Sequence, residues 1–204
     1  MTIHLRKMYV DCRFGQFHLH TAFPSSGGFD ELTPLVCIAP ANRTGRVFEP
    51  VLRDFGRDRS VYAPDRPGSG ESDGPERAAT VADHVAACVD LIESLRLKQV
   101  DLLGYQSGSL AAIELALAKP GQVRRVALLG VPAADGAYQV GERLPLLRQP
   151  ALILRARDEF AEATERAESL LREAHRVELT DPAGAVFEKG AVELVRATRE
   201  FFGR

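Results

Sequence analysis

A chain of 204 residues, 45% hydrophobic and 26% charged, has the makeup of one globular domain with a sizeable core, which excludes disordered, collagen-like and low-complexity readings. Its 26 basic and 28 acidic side chains leave a formal net charge of -2, so no electrostatic footprint for nucleic acid or an anionic membrane is present. No apolar run is long enough to span a bilayer, Met1–Lys7 lacks the apolar block of a secretion signal, and Cys12, Cys37 and Cys88 are too widely spaced for a zinc or redox pair. The expectation is a cytoplasmic protein with reduced thiols, no cofactor and no metal.

From the N-terminus, the alternating runs Met8–Cys12 and Gln16–Phe23 flank Arg13-Phe14-Gly15 and predict an antiparallel hairpin. Leu35–Ala39, Ser60–Ala63, Val100–Leu103, Val126–Leu129, Ala151–Arg155 and Arg176–Leu179 are short apolar runs bounded by Gly, Pro or Asp, which predict buried strands and bring the total to eight. Helical stripes lie between them: Val81, Val85, Val89, Ile92 and Leu95 behind a Thr80 cap, then Ala111–Lys119. A third runs from Ala161 to Ala174 with Ala163, Ala167, Leu170 and Leu171 inward, and a fourth holds Ala191, Leu194, Val195, Thr198, Phe201 and Phe202. This alternation predicts a single α/β domain over residues 1–204, with a mostly parallel sheet and helices on both faces. The run Arg53–Arg59 alternates in charge and reads as a solvated helix end. Residues 131–149 are broken by Pro132, Gly136, Gly141 and Pro145 and read as a short loop.

The most informative segment is Asp101-Leu102-Leu103-Gly104-Tyr105-Gln106-Ser107-Gly108-Ser109-Leu110, where a buried strand passes through a tight turn straight into a helix that begins with small residues. Glycines on both sides permit a strained turn and a close approach of helix to strand, the context of a nucleophile elbow. Here the chain resembles the α/β-hydrolase family. Pro34–Pro40 resembles the strand and turn that supply part of that family's oxyanion hole, and Asp65-Arg66-Pro67-Gly68-Ser69-Gly70-Glu71-Ser72 is similar to its Asp-x-x-Gly-x-Gly-x-Ser loop. Pro150–Glu159 resembles the strand and loop of the catalytic acid, and Asp181-Pro182-Ala183-Gly184-Ala185 resembles the final loop, which in the family ends in Gly-His. The resemblance implies an α/β-hydrolase fold in which residues 131–149 stand where many members carry a helical cap.

Carried over residue by residue, the resemblance puts Gln106 at the nucleophile position and Ala185 at the base position. A carboxamide is no acyl nucleophile, and alanine cannot accept a proton. Glu159 falls in register with the acid, with Asp158 one residue earlier. The backbone N–H groups of Ala41 and Ser107 stand where oxyanion donors would lie, with Asn42 and Arg43 on the same rim and Tyr105 beside the turn as further binding candidates. Ser107 and Ser109 read as helix-start residues rather than nucleophiles. His18 and His20 share one face of the hairpin, His84 reads as projecting from an outer helix and His175 as starting the last strand, so none stands out as a base. No carboxylate lies near them at ligand spacing, which argues against a metal. Cys37 reads as core, and Gly68-Ser69-Gly70 as a turn rather than a phosphate loop.

Three functions are compatible with this pattern. The first is a catalytically inactive protein that binds a small molecule or a partner protein at the old active-site end. The second is a non-triad lyase, isomerase or cyclase. The third is an ester, thioester or lactone hydrolase with Ser107 as a relocated nucleophile. An apolar patch left without a cap would also suit a homo-oligomer contact.

Overall fold

The protein is described by a computed structural model over residues 3, 5–25, 32–136 and 138–203. Part of the Met1–Lys7 leader reading therefore lies outside the described residues, as does residue 137 of the 131–149 segment. The strands β1 (Leu5–Cys12) and β2 (Gly15–Ala22) form the expected hairpin, in register from Leu5 opposite Ala22 to Cys12 opposite Gly15, whose φ of +114° closes the turn. The sheet continues through β3 (Leu35–Ile38), β4 (Val61–Pro64), β5 (Val100–Tyr105), β6 (Val123–Leu129), β9 (Ala151–Arg155) and β10 (Ala174–Glu178). Eight strands run in the order β1-β2-β4-β3-β5-β6-β9-β10, and every pair from β4 to β10 is parallel. Strands β3, β4 and β5 are buried throughout because helices cover both faces, which is why they read as unbroken apolar runs. The chain leaves β3 for β4 on one side and pairs it with β5 on the other, so the crevice between β3 and β5 lies at a reversal of strand order, where α/β sheets place ligands.

On one face pack α2 (Val81–Ser94), α3 (Ser107–Ala118) and α4 (Ala161–Leu170); on the other lie α1 (Glu49–Phe55), α5 (Ala183–Glu188) and α6 (Val192–Phe202). Thr80 caps α2 with a full capping box: its side chain accepts from Asp83 N–H while Asp83 accepts from Thr80 N–H. The helix predicted over Ala161–Ala174 stops at Leu170, and Ala174 opens β10, because the outermost parallel strand needs those residues to pair with β9. Residues 131–149 are more ordered than a bare loop. They hold the two-residue strands β7 (Ala134–Asp135) and β8 (Tyr138–Gln139) and two 3-10 turns, and Tyr138 and Arg143 both bind the Glu114 carboxylate.

The Arg53–Arg59 run is not a solvated helix end. Phe55 and Arg59 are fully buried. The charge of Arg59 is answered by Asp58 and by Asp101 in β5, and Arg199 of α6 pairs with Asp54 and Asp58 with its guanidinium 4.6 Å from the Phe55 ring centroid. A carboxylate buried in a central strand needs counter-charge, and Arg59 with Arg124 supplies it.

His84 also departs from expectation, since it lies in the buried face of α2 with Nε2 unpartnered. Burial, with help from the charge of Arg66, pushes its pKa down to about 3. Because the folded value lies below the unfolded value of 6.5, neutral His84 contributes its full stability above about pH 6.5, and that contribution is lost as pH falls toward 3. The slope is at most about 1.4 kcal/mol per pH unit. Chemical denaturation between pH 7 and 4 is expected to show a flatter loss of stability for His84→Leu than for wild type; equal slopes would remove His84 from the acid response.

Candidate functional site

The turn between β5 and α3 is built as its glycines require. A Cβ on Gly104 would lie 2.5 Å from Ser109 Cα, and one on Gly108 would fall inside the carbonyl oxygen of Ile38 at the end of β3. Between them Gln106 adopts φ 49° and ψ -121°, a left-handed conformation that no glycine relieves. Such a backbone costs on the order of 1–3 kcal/mol and persists only where its surroundings enforce it. Here they do: Gln106 N–H donates to Leu129 O (2.8 Å), and Ser109 N–H donates to Gln106 O (2.8 Å). The side chain of Gln106 makes no capping bond to α3 and lies beside Gly130, at φ +63°, with Phe160 close to the same glycine.

The hydroxyl of Ser107 accepts a hydrogen bond from Ala41 N–H at 2.9 Å. The two residues expected to supply backbone donors are thus brought together, with the Ala41 N–H engaged by the Ser107 side chain. Ser107 N–H belongs to the first turn of α3, where backbone donors have no intrahelical acceptor and the helix dipole favours negative charge. Asn42 and Arg43 are exposed on the rim, held by a turn in which Arg43 N–H donates to Pro40 O (3.1 Å). Tyr105 points the other way, buried under α5 with its ring 5.1 Å from that of Phe187; burial pushes its hydroxyl pKa up.

At the acid position Glu159 is exposed, whereas Asp158 accepts from Phe160 N–H (2.9 Å) and from Ala183 N–H (3.2 Å). Asp158 therefore ties the acid loop to the segment carrying Ala185. That segment is helical rather than a loop: Ala185 sits in the first turn of α5, its N–H donating to Pro182 O (2.9 Å). His175 lies in β10, exposed and edge-on to Phe201.

Spacing could not show one cluster. His18 and His20 meet Asp65, 47 residues beyond His18: His18 Nδ1 lies 2.8 Å from Asp65 Oδ2, and His20 Nε2 lies 3.4 Å from Asp65 Oδ1. Sequence reading took the histidines to have no nearby carboxylate, and it overlooked this partner; the only signal was a His-x-His pair on one strand face. The trio has the residue types of a metal site. However, Asp65 also accepts from Gly45 N–H (2.8 Å) and Glu71 N–H (3.1 Å), so its oxygens are engaged from four directions by the protein. Burial alone would raise the Asp65 pKa, but the bonds from His20, His18 and the two backbone N–H groups outweigh it and hold the carboxyl well below its usual range. Gly70, at φ +59°, lets the loop wrap this carboxylate, and Ser72 Oγ donates to Asp65 O. The cluster anchors the Asp65–Ser72 loop to β2.

Residues 19–202 match the family described as "Alpha/beta hydrolase family". Among curated proteins, the chain is 36% identical over 95 residues to 2-hydroxymuconate semialdehyde hydrolase of Pseudomonas sp., covering 46% of this chain and 33% of that protein. It is 30% identical over 106 residues to (E)-2-((N-methylformamido)methylene)succinate hydrolase of Acinetobacter baylyi, covering 52% and 38%. The chain thus spans between 33% and 38% of the length of these relatives. Among solved structures, the enol-lactonase from Burkholderia xenovorans superposes with a TM-score of 0.84 at 14% identity, over 97% of this chain and all of that one, a likeness of fold. Among the described residues, no helix is long and apolar enough to cross a membrane.

Proposed function

The chain belongs to the alpha/beta hydrolase family, and we propose that within it this protein is not a conventional serine hydrolase but a binding protein that holds a small carboxylate or carbonyl compound at the former active-site end. The observation that carries this reading is Gln106: the strained elbow backbone is kept at φ 49° and ψ -121°, while the residue on it has no nucleophilic atom. Ala185 at the base position removes the group that would activate a hydroxyl. What remains suits recognition. The Gln106 amide both donates and accepts, and the N-terminus of α3 favours a negative oxygen. The connection over residues 131–149 holds two short strands and two 3-10 turns where many members carry a helical cap, and a less enclosed site would weaken catalytic electrostatics more than binding. A relocated Ser107 nucleophile is disfavoured because its hydroxyl accepts from Ala41 N–H and, among the described residues, donates to no base that could take its proton. The curated relatives are named for a substituted methylenesuccinate and for 2-hydroxymuconate semialdehyde; comparable carboxylates are the first ligands to try here.

The purified protein is expected to hydrolyse p-nitrophenyl acetate and butyrate no faster than a denatured control and to form no fluorophosphonate adduct. Succinate or cis,cis-muconate is expected to raise the melting temperature, a ligand at a hundredfold excess over its Kd adding about 2.7 kcal/mol. Gln106→Leu is expected to diminish that shift. Stoichiometric labelling of Ser107, or a shift indifferent to Gln106→Leu, would overturn the reading.

A further inference from the structure

On the far side of the elbow from Gln106, a groove of about 930 Å³ runs between α1 and α6. Its size is that of a small-molecule site. The floor is apolar: Val47, Val192 and Val195 line it, over the buried and mutually packed rings of Tyr105 and Phe187. The walls are cationic. Two lining arginines are spent on carboxylates of the protein, Arg53 on Glu49 and Arg199 on Asp54 and Asp58. Arg43, Arg46, Arg57 and Arg196 form no ion pair with any described carboxylate, and the remaining lining acid is Glu188 alone. The groove also reaches Gly190 and Val192, where α6 begins behind the left-handed Ala191 (φ 56°), so the positive end of that helix adds to the potential.

We infer that this α1–α6 groove is a second binding site, to which Gln106 does not contribute, for an amphipathic carboxylate whose apolar body lies along Val47, Val192 and Val195 and whose charge is taken by the unpaired arginines. The two halves of the lining decide the class. A bare inorganic anion would use the guanidinium rim and leave the apolar floor in water, whereas a neutral apolar molecule would cover the floor and leave the guanidinium groups unmatched. A carboxylate with a hydrocarbon body satisfies both, and arginine's planar fork matches a carboxylate with two parallel hydrogen bonds. The groove opens to solvent, so a ligand can reach it without any movement of the fold.

The experiment is a calorimetric titration of the whole protein with sodium decanoate, with decan-1-ol as the uncharged control. Decanoate is expected to bind one to one, at least 10-fold more tightly than the alcohol, and less tightly at high salt. The double variant Arg46→Glu/Arg196→Glu changes exposed residues only and is expected to weaken binding at least 10-fold with an unaltered melting temperature. Val195→Glu, which places a carboxylate on the floor, is expected to abolish it. Gln106→Leu is expected to leave decanoate binding within 2-fold of wild type. Equal affinity for acid and alcohol, no binding, or decanoate binding that follows Gln106 rather than the arginines would each overturn this site. The elbow reading fails on a different result, a succinate or muconate response that ignores Gln106.

Discussion

Gly108→Ala is expected to cost on the order of 4 kcal/mol, a loss seen only where packing or backbone geometry is broken outright. The added Cβ would fall inside Ile38 O and press on Ala39 O, which are backbone atoms at the end of a fully buried central strand, so nothing flexible can give way. For a chain of this length each kcal/mol lowers Tm by about 2–4 °C, and the fall is expected to be about 8–16 °C. Gly184→Ala is the matched control. It also lies in the first turn of a helix, but nothing stands within 4 Å of its would-be Cβ and its φ is not positive. There the substitution is expected to stabilise by about 0.4–1 kcal/mol by restricting the unfolded chain. Calorimetric melting of both variants tests whether the elbow is held by contact with β3; a Gly108→Ala loss of under about 3 °C would show that β3 and α3 can part.

How far sequence reading reaches depends on where the partner of each residue lies. The central strands β3, β4, β5 and β9 were legible because burial on both faces makes each an apolar run, the hairpin because its residues alternate, and the elbow because Gly104 and Gly108 report a close approach whatever residue sits between them. Arg59 was misread because alternating charges mean solvent unless a buried acid answers them, and Asp101, 42 residues away in another strand, gives no local sign of doing so. His18 was misread for the same reason, its carboxylate arriving from the end of the neighbouring strand β4, far away in sequence. Between Asp158 and Glu159 the register was ambiguous by one residue, and only the hydrogen bond to Ala183 N–H singles out Asp158 as the one that faces the α5 segment. That segment looked like a loop because Asp181-Pro182-Ala183-Gly184 carries breakers, yet Pro182 stands at the N-cap, where its lost N–H costs nothing.

Gln106→Ser by itself is expected to give no hydrolysis, because a serine at this backbone position would still lack a proton acceptor. Adding Ala185→His places an imidazole on the first turn of α5, next to the segment that Asp158 already ties to the acid loop, and a weak esterase activity toward p-nitrophenyl acetate is expected from the pair. One obstacle then remains. Ala41 N–H, which would have to point at a developing oxyanion, is bonded to the Ser107 hydroxyl at 2.9 Å. Ser107→Ala added to the double variant frees that donor, and a single oxyanion donor is worth about 10²–10³ in kcat. The triple variant is therefore expected to exceed the double by about 10², an increase in kcat rather than a fall in KM. If Gln106→Ser alone is active, a base lies within reach that the described residues do not reveal; if the triple variant is no faster than the double, the Ala41 donor does not face the developing oxyanion.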